Sequence, residues 1–238
     1  MKKIFAALAF SFLALQSCNT ENYKEGNVKI SGEIKGLKQG TLYLQQLKDN
    51  QLLTLDSIVV KGNSKFNTAI NLPESEMIYL TLDRGATLSE DNSIMFFAEP
   101  GEITISTSLE KFYADSVIEG SKNQETYNNY TQAKKRISNK KNDLIKEHLL
   151  AIKTDNTNKA DSIQKLLIST EKRLYLNAAN FALKNNESVA SAYIVLTDIL
   201  PYSDKYLDSI YNNFSNDIKT HKYGKLIKEY KQLQKEIK

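Results

Sequence analysis

Cys18 is the only cysteine in the chain, so any thiol chemistry must pass through it. It follows Leu15, Gln16 and Ser17, at the end of an apolar run over residues 4–15 that Lys2 and Lys3 introduce. A basic start, an apolar stretch too short to cross a bilayer as a mature helix, and a small residue before the cysteine are the parts of a lipoprotein signal peptide. Residues 15–18 read as a lipobox. The expectation is that the Cys18 thiol is alkylated by a diacylglyceryl group and that cleavage after Ser17 makes Cys18 the first mature residue. An ordinary secretory leader with a cysteine near the cut is the competing reading. Acylation leaves the mature chain with no disulfide, no redox pair and no thiolate nucleophile.

Other residue types capable of chemistry are dispersed. His148 and His221 are the only histidines, and neither has ligand-like spacing to acidic residues. Each reads as a solvated or helix-end imidazole, with no metal implied. Residues 83–85 and 90–92 are small acidic clusters, read as solvated turns because their spacing fits no calcium loop. The sequence has no HExxH, Walker loop, GxSxG or glycine-rich dinucleotide turn. No catalytic residue, no cofactor and no metal is therefore expected. Lys134, Lys135, Arg136, Lys140 and Lys141 read as the wet face of a helix, with anionic lipid or glycan as the lesser alternative. The thirteen tyrosines, in a chain with no tryptophan, gather in the second half and read as packing residues with a hydroxyl at the rim.

Two kinds of element must position these groups. Cleavage after residue 17 leaves 221 of the 238 residues and lowers the formal charge from +4 to +2, because Lys2 and Lys3 leave with the leader. That balance argues against nucleic acid as a partner. Residues 27–120 read as short strands. Val28, Ile30, Gly32 and Ile34 alternate with polar residues, and similar runs lie at 42–44, 53–60, 65–70, 76–83, 93–98 and 103–105. Residues 61–64 read as a tight turn, making 65–70 the hairpin partner of the strand before it. Strands of this length with a turn about every ten residues fit an antiparallel sandwich. After Gly120 only Gly224 and Pro201 interrupt a helical texture. Helices are expected over 123–153, 159–183, 189–200 (capped by Ser188 and ended by Pro201), 204–214 (capped by Ser203) and 223–237. The expected class is α+β, divided into a leader at 1–17, a lipidated tether at 18–26, a β-sandwich at 27–120 and a helical region at 121–238.

A family resemblance enters here. Residues 28–37, 40–44 and 56–60 with Lys65 and Phe66, then 97–103 and 117–123, resemble the N-terminal domain of unknown function of Bacteroidota lipoproteins of the thiol–disulfide interchange kind. In that family a β-rich domain and a helical segment precede a thioredoxin-like domain bearing Cys-x-x-Cys. Residues 185–200 and 204–237 resemble the helical segment. The sequence stops at Lys238, where the thioredoxin domain would start, and holds no Cys-x-x-Cys. Disulfide exchange needs an attacking thiolate and a resolving partner, so the family's redox activity is not expected here.

Four of the twelve aspartates open an Asp-Ser-aliphatic triplet, placing Ser57, Ser116, Ser162 and Ser209 in a motif similar to the O-glycosylation acceptor of exported Bacteroidota proteins. Modification of at least one is expected; helix capping, suited to Ser162 and Ser209, is the competing account. The functional expectation is a non-enzymatic envelope lipoprotein, a binding or scaffold module held to the outer membrane by its lipid and facing the periplasm. Two alternatives stand beside it. One is an accessory subunit whose thioredoxin-like partner is a separate chain, and the other is a hydrolase with an unrecognised site. The apolar face of the last helix, carrying Leu226, Ile227, Tyr230, Leu233 and Ile237, is expected to pack on its own chain. The competing reading is that it recruits a second copy or a thioredoxin-like protein.

Overall fold

The computed structural model describes residues 24–84 and 90–237. The leader, Cys18 and the tether up to residue 23 lie outside the described residues, as does Gly85. The fold is α+β. Among the described residues, eight strands form two four-stranded sheets, and six α-helices follow them.

One sheet has the order β4 (Lys65–Ile70), β1 (Val28–Lys35), β7 (Gly101–Ser108), β8 (Val117–Glu119). The other runs β3 (Gln51–Lys61), β2 (Gln39–Lys48), β5 (Glu76–Asp83), β6 (Ser93–Ala98). The period-two pattern explains the layering. Val28, Ile30, Ile34, Ile103 and Ile105 point inward from the first sheet. Leu42, Leu44, Ile78, Leu80, Leu82, Ile94 and Phe96 meet them from the second in one buried cluster.

Two expectations need correction. The sandwich is not purely antiparallel, because β1 and β7 pair in parallel, Val28 opposite Gly101 through Lys35 opposite Ser108. Residues 61–64 do not close a hairpin either: β4 pairs with β1 rather than with β3. The connection carries the chain from one layer to the other, through Gly62 at φ +74°. Packed sheets lie about 10 Å apart, a span that the three residues between β3 and β4 cover as readily as they reverse direction. The real hairpin is β2–β3, whose Asp49 and Asn50 take φ of +49° and +60°, the pair of left-handed residues that a type I′ turn requires.

The helices are α1 (Lys122–Lys153), α2 (Thr157–Lys184), α3 (Val189–Ile194), α4 (Leu207–Asn213), α5 (Asn216–Thr220) and α6 (Lys222–Ile237). Ser121 caps α1 by accepting from the Gln124 N–H, and Ser188 caps α3 through Ala190. The helix expected over 189–200 changes after Ile194 to π geometry across Val195–Ile199. The helix expected over 204–214 begins at Leu207 with no side-chain cap, and Ser203 bonds the Lys205 N–H in the turn before it. Helix α5 had no periodic signal, being a single short turn capped by Ser215. α1 and α2 form a long antiparallel arm, closed at its far end by Leu144, Ala151, Ala160, Ile163 and Leu167.

The helices join the sandwich on the outer face of β5 and β6. Met77 and Phe97 point away from the sandwich core and are buried instead among helical residues, including Tyr130, Ile194, Ile210, Tyr223 and Ile227. α6 thus packs back on its own chain through Tyr223 and Ile227, while Leu226 and Leu233 remain 48% and 58% exposed. The Ile237 side chain lies outside the described residues. Gly224, the one helical glycine, sits where a Cβ would collide with the Ile218 carbonyl of α5, so the close α5–α6 approach depends on the missing side chain.

Candidate functional site

The start of α1 lies against β6, held by two polar anchors. Gln124 is buried, accepts the Phe97 N–H at 2.7 Å through its amide oxygen, and donates to Asn128 at 2.7 Å. Glu99 receives the Lys122 N–H and the Asn123 amide, the latter at 2.5 Å. Phe97, Tyr127 and Tyr193 then pack edge to face with centroids 5.6–6.0 Å apart, the arrangement that aromatic quadrupoles favour. Burial pushes the Tyr127 hydroxyl up to about 12 and raises that of Tyr193 further. These rings stay protonated at neutral pH and offer hydrogen bonds rather than charge.

On the far side of this anchor an open groove of about 780 Å³ separates α1 from the β7–β8 region. One wall is β8 and the residues leading into it, Tyr113, Ser116, Val117 and Ile118. The opposite wall is a face of α1 carrying Gln124, Asn128, Thr131, Lys135 and Ser138, which recur at alternating spacings of four and three. Tyr127 and Met95 also line the groove. β8 is the outermost strand of its sheet; its first residue, Val117, and Tyr113 before it are more than half exposed. Asp91 fixes this wall by accepting the Phe112 and Tyr113 N–H groups at 3.1 and 3.0 Å. The second acidic cluster is therefore a loop anchor as well as a turn.

Lys134 lines both this groove and a smaller cavity of about 50 Å³ between α1, α2 and the π segment. In that cavity the Asp198 carboxylate accepts from the Tyr130 hydroxyl at 2.5 Å and from Lys134 at 2.7 Å. Burial and the Asp198 charge raise the Tyr130 hydroxyl far above its ordinary value. Lys141 pairs with Glu171 at 2.9 Å on the rim. The wet-face reading of the basic run is corrected for Lys134 and Lys141, which turn inward to acids, and Lys135, Arg136 and Lys140 are exposed.

A third polar cluster pins α6 to the sandwich. His221 is buried; its Nδ1 accepts the Tyr223 N–H at 3.2 Å, so Nε2 carries the proton and donates to the Ser75 carbonyl at 2.8 Å. His221 is a helix-end residue, but the solvated part of its expected reading is corrected, because burial here serves a latch. His148 is half-buried on α1 and contacts the Ala160 carbonyl at 3.2 Å. Among the described residues no group of three or more His, Cys, Asp or Glu could hold a metal ion.

Desolvation holds the His221 imidazole below its ordinary value, with Lys225 reinforcing the shift and Glu74, 3.4 Å away, opposing it. The unfolded chain therefore binds the proton more tightly than the folded one. The neutral imidazole's contribution is complete above about pH 6.5 and is lost as pH falls through the lowered folded value. The stability difference between the native protein and His221→Gln should accordingly be constant above about pH 7 and shrink toward about pH 5, measured by urea unfolding. A difference that grows on acidification would mean that Glu74, not burial, governs the ring.

The four Asp-Ser serines are not brought together. Ser57 is exposed on edge strand β3, Ser116 is half-buried and donates to the Tyr113 carbonyl, and Ser162 and Ser209 are exposed on α2 and α4. Capping does not explain the last two: α2 is capped by Asn156, and Ser209 lies within α4, after an N-terminus with no side-chain cap. The tyrosines divide. Tyr130 and Tyr223 are buried, whereas Tyr202 is 72% exposed.

The fold and groove define a two-layer sandwich with a helical arm and a polar, aromatic-lined cleft between them. Residues 28–127 match the family model described as a domain of unknown function (DUF4369). The match runs from β1 through Tyr127, so it contains Gln124 and the β8 wall, while the rest of the helical region lies beyond it. No curated protein matches the chain. No solved structure matches it either. Sequence reading missed Gln124, Asn128 and Asp198 as site residues. The sequence marked residues 123–153 as a helix, but nothing in it showed which polar face meets the sandwich.

Proposed function

We propose that this chain is a lipid-anchored protein of the cell envelope, and a binding module that takes an extended polypeptide segment of another envelope protein into the groove between β8 and α1. One observation carries the reading: an outermost strand forms one wall of the groove while amide and hydroxyl side chains at helical spacing form the other. A strand added to β8 would gain main-chain hydrogen bonds, and Tyr113, Val117 and Tyr127 would select its side chains. The groove hydroxyls of Ser116 and Thr131 donate to main-chain carbonyls rather than to a base, which favours binding over catalysis. Anchoring rests on the lipobox at Cys18. Among the described residues no helix is long and apolar enough to cross a membrane.

A photo-crosslinking residue at Gln132, an exposed α1 residue that also lines the groove, tests it in the acylated protein in its native envelope. The expected product is a crosslink to a defined peptide, lost in Asn128→Trp, which fills the groove from an exposed position. A crosslink unchanged by Asn128→Trp, or confined to lipid, would overturn the groove assignment. Intact mass tests the anchor: acyl chains on Cys18 are expected, and Cys18→Ala should release the protein from the membrane.

A further inference from the structure

The end of the β2–β3 hairpin projects beyond its sheet with leucines on both faces. The last β2–β5 pair is Gln46 opposite Ile78, but β2 and β3 continue pairing to Lys48 opposite Gln51. In that overhang Leu47 faces Leu52 across the ladder, and Leu53, opposite Gln46 on the last rung shared with β5, points to the other face. They are 52%, 49% and 49% exposed. The end of the hairpin thus carries apolar side chains on both faces, with about half of each open to solvent.

The N-terminal segment enters the sandwich at the same end. The Asn27 side chain bonds both the N–H and the carbonyl of Leu72, at 2.9 and 2.7 Å, in the connection from β4 to β5. Glu76, at the start of β5, accepts from Gln46 at 2.6 Å, just below the overhang. Lys24 pairs with Asp56 on β3 at 2.5 Å. Asp56 stands five residues from Gln51, about 17 Å along the strand. Cys18 lies six residues before Lys24, a length that spans up to about 20 Å. The lipid attachment point and the tip can therefore reach the same plane.

We propose that the β2–β3 tip is a second membrane contact: Leu47, Leu52 and Leu53 enter the interfacial layer of the bilayer that holds the Cys18 lipid. This rests on the lipid-anchor reading. The acyl group supplies retention, and the tip restricts rotation of the sandwich about its tether. Lys48 beside the leucines can lay its methylenes along the acyl boundary and keep its ammonium among headgroups. One lipid leaves a protein free to tumble at the surface, whereas two contacts set which face the groove presents.

The absence of tryptophan makes the test direct. Leu52→Trp and, as a control, Val59→Trp place single fluorophores on β3, at the tip and on an exposed position further along. Each acylated protein is reconstituted in phosphatidylethanolamine–phosphatidylglycerol vesicles, with acylation established by intact mass. The expected result is a blue-shifted emission for Leu52→Trp, quenched by brominated acyl chains, with Val59→Trp solvent-like and unquenched. Solvent-like emission from Leu52→Trp in acylated protein would overturn the tip contact and leave the anchor standing. A blue shift already present without vesicles and dependent on protein concentration would overturn it in favour of a second copy. An unacylated chain removes the anchor, and this inference with it.

Discussion

Replacing Lys222 by methionine will cost about 3–5 kcal/mol of stability, because it strands a buried carboxylate. Glu76 is 2% exposed, and besides the Gln46 amide its partner is the Lys222 ammonium. The pair belongs to a run of contacts in register. Lys222 N–H meets the Glu74 carboxylate, His221 the Ser75 carbonyl and the Tyr223 hydroxyl the Met77 N–H, so residues 221–223 grip residues 74–77. The pair's net value against an apolar substitute is small, since both charges gave up hydration to meet. The cost of removing one partner is large, since the other cannot recover water. Glu76→Gln combined with Lys222→Met should therefore restore most of the stability lost by the single substitution. The single change should lower Tm by roughly 6–20 °C, and the double change by far less. A single substitution costing under about 1 kcal/mol would mean that Glu76 reaches solvent when its partner leaves.

Alternation at two residues made the sandwich strands legible, and the inward sets of β1, β5 and β7 are those the pattern implies. The order of strands was not legible, for a physical reason. A short Gly-Asn connection reverses a chain or carries it between layers with the same residues, and only the competition among all strands for partners decides. β4 pairs with β1 because Val28–Glu33 offers it a ladder inside the core. In the helical half, stripes at 3.6 periodicity located α1, α2 and α6. They did not locate the π segment, because one added residue per turn leaves no compositional mark. Nor did they separate Lys134 and Lys141 from Lys135 and Lys140. All are basic, and only the neighbouring helices decide which meet Asp198 and Glu171. The latch at residues 74–77 was hidden for a related reason: its two halves are about 146 residues apart in sequence.

Phe97→Ala should uncouple the two halves of the molecule as well as destabilise it. The ring is fully buried, yet it faces away from the sandwich core and contacts Tyr127 and Tyr193 of the helices. Truncating a buried phenylalanine costs about 3–5 kcal/mol through lost burial and the cavity left behind. Here that loss falls on the joint. β6 contributes Phe96 to the sandwich core and Phe97 to the helical core in consecutive positions, so the strand transmits the stability of each half to the other. With Phe97 intact, the halves should unfold in one transition seen alike by far-ultraviolet circular dichroism and by tyrosine fluorescence. With Phe97→Ala, the helical region should melt first, because the remaining sandwich keeps its own closed cluster while the helices lose the residue they were built around. The two probes should then separate, and the calorimetric enthalpy should exceed the van't Hoff value. Phe96→Ala provides the contrast, since its cavity lies inside the sandwich and should bring the whole molecule down together. Coincident transitions in Phe97→Ala, with Tm lowered, would mean that the latch at residues 221–223 carries the coupling without the ring.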